Sequence, residues 1–153
     1  MSVRLWDGTG TVLADTSAWM QARRDPKARS LLLAGIERGD ACWCWPVRYE
    51  LMVDARGSEG IAAIERTLEG LREIPVDRSV QRAALATMRE LAATGSHDAH
   101  RYPLADLAVA AAARDAAIGI LHFDQHLARL GDHLGLDAHW ISDPSPETTP
   151  GSR

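Results

Sequence analysis

Four short apolar runs, at residues 11–15, 41–45, 118–123 and 138–141, are separated by longer stretches carrying helical signals. Strand-like and helix-like segments that alternate in this way restrict a chain to a sheet with helices packed on it. Consecutive strands joined by helical crossovers run parallel. The helical stretches have identifiable ends. Thr16 or Ser17 can cap a helix over 18–24, and Pro26 opens one that stops at Gly39. Pro46 opens a helix to about residue 56, and Ser58 caps another to about Gly70. Further helices are predicted from 77 or 79 to 93 or 94, over 104–117 behind Pro103, and over 124–131. Residues 72–75 read as a short strand or connector. The predicted fold is an α/β/α sandwich with a central, mostly parallel sheet over 11–143. Residues 1–10 read as an N-terminal extension with a Gly-rich hinge, and 144–153 as a disordered tail.

Carboxylates stand at the margins of these apolar segments. Asp15 follows Thr11-Val12-Leu13-Ala14, and Asp124 follows Ile118-Gly119-Ile120-Leu121-His122-Phe123. Glu50 lies in Pro46-Val47-Arg48-Tyr49-Glu50-Leu51, and Asp106 interrupts Leu104-Ala105-Asp106-Leu107-Ala108-Val109. A buried carboxylate must become neutral, find a partner or bind a metal. In parallel sheets, ligands bind beyond the carboxyl ends of the strands, which is where Asp15 and Asp124 fall. Glu50 and Asp106 fall early in helices that begin at a proline. All four can meet in one pocket, and an oxygen-only donor set suits Mg²⁺ or Mn²⁺. Such a constellation fits phosphodiester hydrolysis. Each acid also has a simpler reading: Asp15 and Asp124 as helix N-caps, Glu50 as an ion pair near Arg48, and Asp106 as a first-turn helix residue.

Composition narrows the function classes. The 153 residues are 46% hydrophobic and 25% charged, sufficient for one domain with a core. No apolar run approaches the ~20 residues of a membrane span, and no signal-peptide pattern opens the chain, so a cytoplasmic protein is expected. Net charge is −4 and the pI about 5.8. That balance argues mildly against a phosphate-backbone binder, although Lys27 is the one lysine and arginine, the better bidentate phosphate ligand, supplies the other basic residues. Cys42 and Cys44 are two apart in a strand-like run, which suits buried thiols rather than a mutual disulfide. The six histidines offer no paired spacing with a glutamate as zinc peptidases require. Trp19, Trp43, Trp45 and Trp140 are read as core or interface rather than base-stacking platforms.

Taken in order, Leu13-Ala14-Asp15-Thr16-Ser17-Ala18-Trp19, the Pro46–Leu51 segment, Pro103-Leu104-Ala105-Asp106-Leu107-Ala108-Val109-Ala110-Ala111 and Gly119-Ile120-Leu121-His122-Phe123-Asp124 resemble the PIN-domain ribonucleases. They most resemble the VapC toxins of bacterial VapBC toxin–antitoxin modules. The resemblance covers roughly residues 11–141. It implies an endoribonuclease dependent on Mg²⁺ or Mn²⁺, a homodimer, a VapB-like antitoxin as partner, and tRNA or rRNA as substrate. It makes Asp15, Glu50, Asp106 and Asp124 the catalytic and metal-holding quartet, Ser17 the support of the first acid, and Arg101, in the pair His100-Arg101, a candidate RNA-phosphate contact. One departure stands out. Many members of that family carry another acid two residues after the fourth, in an Asp-x-Asp-Phe pattern, where this chain reads Asp124-Gln125-His126-Leu127. An imidazole is not expected to replace that acid as a Mg²⁺ ligand. Two other functions compete: a non-catalytic PIN-like binding module, and a PIN-like nuclease acting on DNA or in RNA maturation. Four clustered carboxylates disfavour the first, and the lack of an insertion to thread a strand disfavours a flap-type version of the second.

Overall fold

The computed structural model describes residues 3–145 except Ser96; the expected tail lies outside these residues from 146 onward. The described chain forms β1 (Val12–Ala14), α1 (Thr16–Arg24), α2 (Pro26–Arg38), β2 (Ala41–Cys42), α3 (Trp45–Val53), α4 (Gly57–Glu69), α5 (Arg78–Thr94), α6 (Leu104–Asp115), β3 (Gly119–His122), α7 (Gln125–Leu134) and β4 (Ala138–Trp140). The sheet order is β2-β1-β3-β4, and every pairing is parallel.

Strand residues alternate between two cores because successive side chains point to opposite faces. Leu13 and Ile120 face a core built with Val47, Leu51, Val80, Leu107, Leu127 and Leu130, from α3, α5, α6 and α7. Val12, Ala14 and Leu121 face a second core with Ala18, Ala22, Ala28 and Leu32, from α1 and α2. Burial on both faces explains why Val12-Leu13-Ala14 is apolar throughout rather than alternating. The three-layer sandwich expected from the sequence is therefore the fold.

Several boundaries differ from the sequence reading. The second strand ends at Cys42, and α3 begins one residue before Pro46, at Trp45. Proline is tolerated in a first turn, where its missing N–H has no partner to lose, so the helix starts ahead of it. Cys44 takes the extended N-cap position, and Trp43 forms a bridge with Glu73, giving the 72–75 connector its one strand-like contact. Helix α6 stops at Asp115, while α7 runs on to Leu134, where Gly135 supplies a left-handed turn at φ 65°.

The segment before β1 is packed on the sheet. Leu5 bridges Trp140 in parallel, the Trp6 N–H donates to the Trp140 carbonyl at 2.9 Å, and the Trp6 ring is buried in the α1/α2 core. A Cβ at Gly35 would lie 2.7 Å from the Trp6 ring, so the α2 backbone leaves just enough room for the indole. Cys42 and Cys44 are free and buried, and burial pushes the Cys44 thiol up to about 12, leaving it protonated and inert.

The candidate metal centre

The strand order reverses direction between β1 and β3. From β1 the chain crosses to β2 on one side, then returns through four helices to place β3 on the other. Diverging connections at such a point leave a crevice beyond the strand ends. Asp15 is the residue after β1, and Asp124 lies two residues after β3. The Asp15 N–H donates to the Leu121 carbonyl at 2.9 Å, carrying the β1–β3 ladder to the brink of the crevice.

Both residues are also helix N-caps. Asp15 Oδ2 accepts from the Ser17 N–H at 3.0 Å and from the Ser17 hydroxyl. Asp124 Oδ1 accepts from the His126 N–H at 2.6 Å. Helix capping and a position at the crevice are thus compatible in each residue. The cap bonds occupy one oxygen of each carboxylate and fix how the group is presented. Ser17 has a second bond that sequence reasoning does not find. Its Oγ accepts from the Phe123 N–H at 2.9 Å, which ties the turn after β1 to the turn after β3.

Helices α3 and α6 complete the pocket. Both pack against the sheet side that holds β1, and against one another. Glu50 does not pair with Arg48, whose guanidinium is bonded to Glu65. Instead Glu50 Oε1 accepts from the Thr16 hydroxyl at 2.8 Å, which holds it beside Asp15. Asp106 sits in the first turn of α6, whose run from Asp106 to Ala113 is wholly buried. Its Oδ2 is buried and has no hydrogen-bond partner among the described residues. Arg101 is exposed on the loop before α6 and pairs with Asp98 at 3.1 Å.

The charges reflect the convergence. Burial raises the Asp15 carboxyl above its ordinary range; bonds from Ser17 oppose this, while the Glu50 and Asp124 charges add to it. Burial pushes Asp106 up to about 7, reinforced by the charges of Asp15, Asp124 and Glu50 and opposed by His126. All four acids therefore share one field. His126 joins them, which its residue type does not announce. Its Nδ1 lies 3.4 Å from Asp106 Oδ2 and 3.6 Å from Asp124 Oδ1. One donor atom from each of Asp106, Asp124 and His126 lies within 4.8 Å of the others. Behind the site, His122 is fully buried against Trp140, and its Nδ1 accepts the Asp124 N–H at 3.1 Å. Burial lowers its pKa to about 4, so it stays neutral with its proton on Nε2.

The family model of the PIN domain matches residues 12–132, which span the whole of this pocket. The chain belongs to the PIN domain family. Ribonuclease VapC18 of Mycobacterium tuberculosis is 32% identical to it over 127 residues, covering 83% of this chain and 92% of that protein. DNA-bound VapBC from Salmonella typhimurium matches with a TM-score of 0.69 at 15% identity, over 88% of this chain and 100% of that one. VapBC-5 of Mycobacterium tuberculosis, a member of the VapBC family of toxin–antitoxin systems, matches with a TM-score of 0.52 at 20% identity, over 87% of this chain and 98% of that one. At these identities the two solved structures establish a shared PIN fold.

Proposed function

We propose that this PIN domain is a Mg²⁺- or Mn²⁺-dependent endoribonuclease, the toxin of a VapBC-type toxin–antitoxin pair. The observation that supports the reading is the mutual charge interaction of Asp15, Glu50, Asp106 and Asp124 beside the strand-reversal crevice, with a buried Asp106 oxygen that has no hydrogen-bond partner among the described residues. An orphaned, buried carboxylate oxygen among like charges is costly unless a cation completes it. The donors are oxygens for the most part, so a hard divalent ion fits, and the four acids would hold it. When bound, such an ion supplies Lewis-acid polarisation of the scissile phosphate and a water that is acidic enough to attack it.

The chain's own residues prepare the rest. Ser17 and Thr16 orient Asp15 and Glu50, so the charges stand ready without reorganisation when RNA arrives. The His122 and Ser17 bonds to successive N–H groups fix the turn that delivers Asp124. Arg101 is a candidate contact for an RNA phosphate; its exposed pairing with Asp98 is weak and can be exchanged.

The likeness to Ribonuclease VapC18 supports RNA as substrate, a tRNA or rRNA by the resemblance noted above, and the VapBC likenesses support a VapB-like antitoxin as partner. A homodimer accords with the apolar groove between α3, α5 and α6, whose rim exposes Trp45, Leu85 and Leu104. Among the described residues, no helix is long and apolar enough to cross a membrane, in keeping with a toxin that acts in the cytoplasm. The intact acidic quartet disfavours a non-catalytic binding module. Expression of the chain alone in a bacterial host tests the reading: the wild type should arrest growth, and Asp15→Asn should not. Equal toxicity of the two would refute it.

A further inference from the structure

We propose that His126 Nδ1 is a ligand of the resident ion together with Asp106 and Asp124, and that this nitrogen donor makes the site select Mn²⁺ over Mg²⁺. The inference rests on the carboxylate-site reading above and adds to it a specific donor and a specific preference between ions.

Three features of the pocket carry it. The imidazole is placed by its backbone, because the His126 N–H is held on Asp124 Oδ1 at the first turn of α7. Tyr102 then meets the ring edge-on, with centroids 5.7 Å apart and planes at 80°, which limits how far the ring can swing. In that pose Nδ1 lies 3.4 Å from Asp106 Oδ2 and 3.6 Å from Asp124 Oδ1.

The distances suit shared coordination better than a direct bond. At 3.4 and 3.6 Å, the contacts from Nδ1 to Asp106 and Asp124 are longer than a charge-assisted hydrogen bond, which closes to about 2.7–2.9 Å. Asp106 Oδ2, the nearer oxygen, accepts no hydrogen bond from the described residues. Yet 3.4 and 3.6 Å both lie within the ~4.2 Å that can separate two ligands each about 2.1 Å from one ion, and the three donor atoms cluster within 4.8 Å of one another. The histidine side chain is 47% exposed, so hydrated ions can reach the site from solvent on its side.

Donor chemistry then sets the preference. Mg²⁺ takes oxygen ligands almost exclusively, whereas imidazole is accepted by first-row transition metals. The acid carried at this position by many family members is neutral toward that choice. A histidine there is not, and the departure from the Asp-x-Asp-Phe pattern becomes a determinant of cofactor identity.

The test uses the metal-stripped full chain as wild type, His126→Asp, His126→Ala and Asp106→Asn, with Mn²⁺ and Mg²⁺ titrated separately by calorimetry. Pulsed electron paramagnetic resonance of the Mn²⁺ complexes reads nitrogen coordination directly, without RNA. The wild type should show ¹⁴N coupling and a Mn²⁺ preference. His126→Asp should lose the coupling, bind Mg²⁺ more tightly and reduce the Mn²⁺-to-Mg²⁺ affinity ratio by roughly tenfold or more. His126→Ala should lose the coupling and weaken Mn²⁺. No ¹⁴N coupling in the wild type, an unchanged ratio in His126→Asp, or tighter Mn²⁺ binding by His126→Ala would overturn the inference; the last would make the imidazole a competing cation. Asp106→Asn separates the two levels. If it abolishes Mn²⁺ binding while His126→Asp changes nothing, the inference about His126 fails alone. If it binds Mn²⁺ like the wild type, the carboxylate site and the inference fall together.

Discussion

Replacing Asp106 by asparagine should stabilise the metal-free protein, although it removes a residue from the heart of the proposed site. The folded carboxyl titrates at about 7 against an ordinary 3.8, because of burial and the charges of Asp15, Asp124 and Glu50. At about 1.4 kcal/mol per pH unit, that difference is on the order of 4 kcal/mol of penalty on the folded state once Asp106 is ionised. The folded value lies above the unfolded one. The penalty is therefore absent below about pH 4, grows between about pH 4 and 7, and is constant above. The Asp106→Asn side chain keeps the shape and loses the charge, but its amide must find partners in a buried pocket, so roughly half the gain should be realised. About 2 kcal/mol corresponds to a rise in Tm of roughly 4–8 °C for a domain of this size. Thermal melts in chelator at pH 5 and pH 7.5 measure it, and the gain should be larger at pH 7.5. With Mn²⁺ at a hundredfold excess over its Kd, the wild type should gain about 2.7 kcal/mol and the variant almost nothing. A variant that melts lower without metal and still responds fully to Mn²⁺ would show that Asp106 is a structural first-turn residue and not part of a metal centre.

Three further outcomes follow from named contacts. Ser17→Ala removes the hydroxyl between Asp15 and the Phe123 N–H, and should cost about 1–3 kcal/mol in a urea melt and weaken Mn²⁺ binding. His122→Asn keeps an acceptor for the Asp124 N–H but removes a histidine whose folded pKa is about 4 against 6.5. Below pH 6.5 the unfolded chain binds the extra proton, so the wild type loses up to about 3 kcal/mol between about pH 6.5 and 4 relative to the variant, as paired acid titrations would record. Ala117 holds φ 54° in the turn between α6 and β3, a left-handed conformation that favours glycine, so Ala117→Gly should stabilise by about 1 kcal/mol, read as a higher urea midpoint.

The parts of the fold that are legible in the sequence are those with local causes. Apolar runs locate the strands, and Pro26, Gly39 and Pro103 mark helix ends through their own backbone constraints. Asp15 and Asp124 stand out because a carboxylate just beyond a buried strand of a parallel sheet falls at the crevice where such sheets bind ligands. What cannot be read depends on residues far apart in the chain. Thr16 holds Glu50 across 34 positions, and Ser17 holds Phe123 across 106. Nothing near Trp6 announces that its ring fills the space over Gly35. Trp45 reads in the sequence as strand, core or interface; it begins a helix and is 62% exposed, which excludes the strand and core readings. His126 looks like a missing ligand in the sequence, and only the direction of its ring, set by Tyr102 and α7, shows that it faces the acids.

The central claim is that the converging carboxylates hold a divalent ion that hydrolyses RNA. The most direct measurement is cleavage of a mixed tRNA and rRNA substrate by the purified protein, with Mn²⁺, with Mg²⁺ and with chelator, beside Asp15→Asn. The account predicts endonucleolytic products for the wild type with metal, none with chelator, and none for a folded Asp15→Asn protein under any condition. Cleavage that persists in chelator, or an Asp15→Asn protein that cuts as well as the wild type, would contradict it.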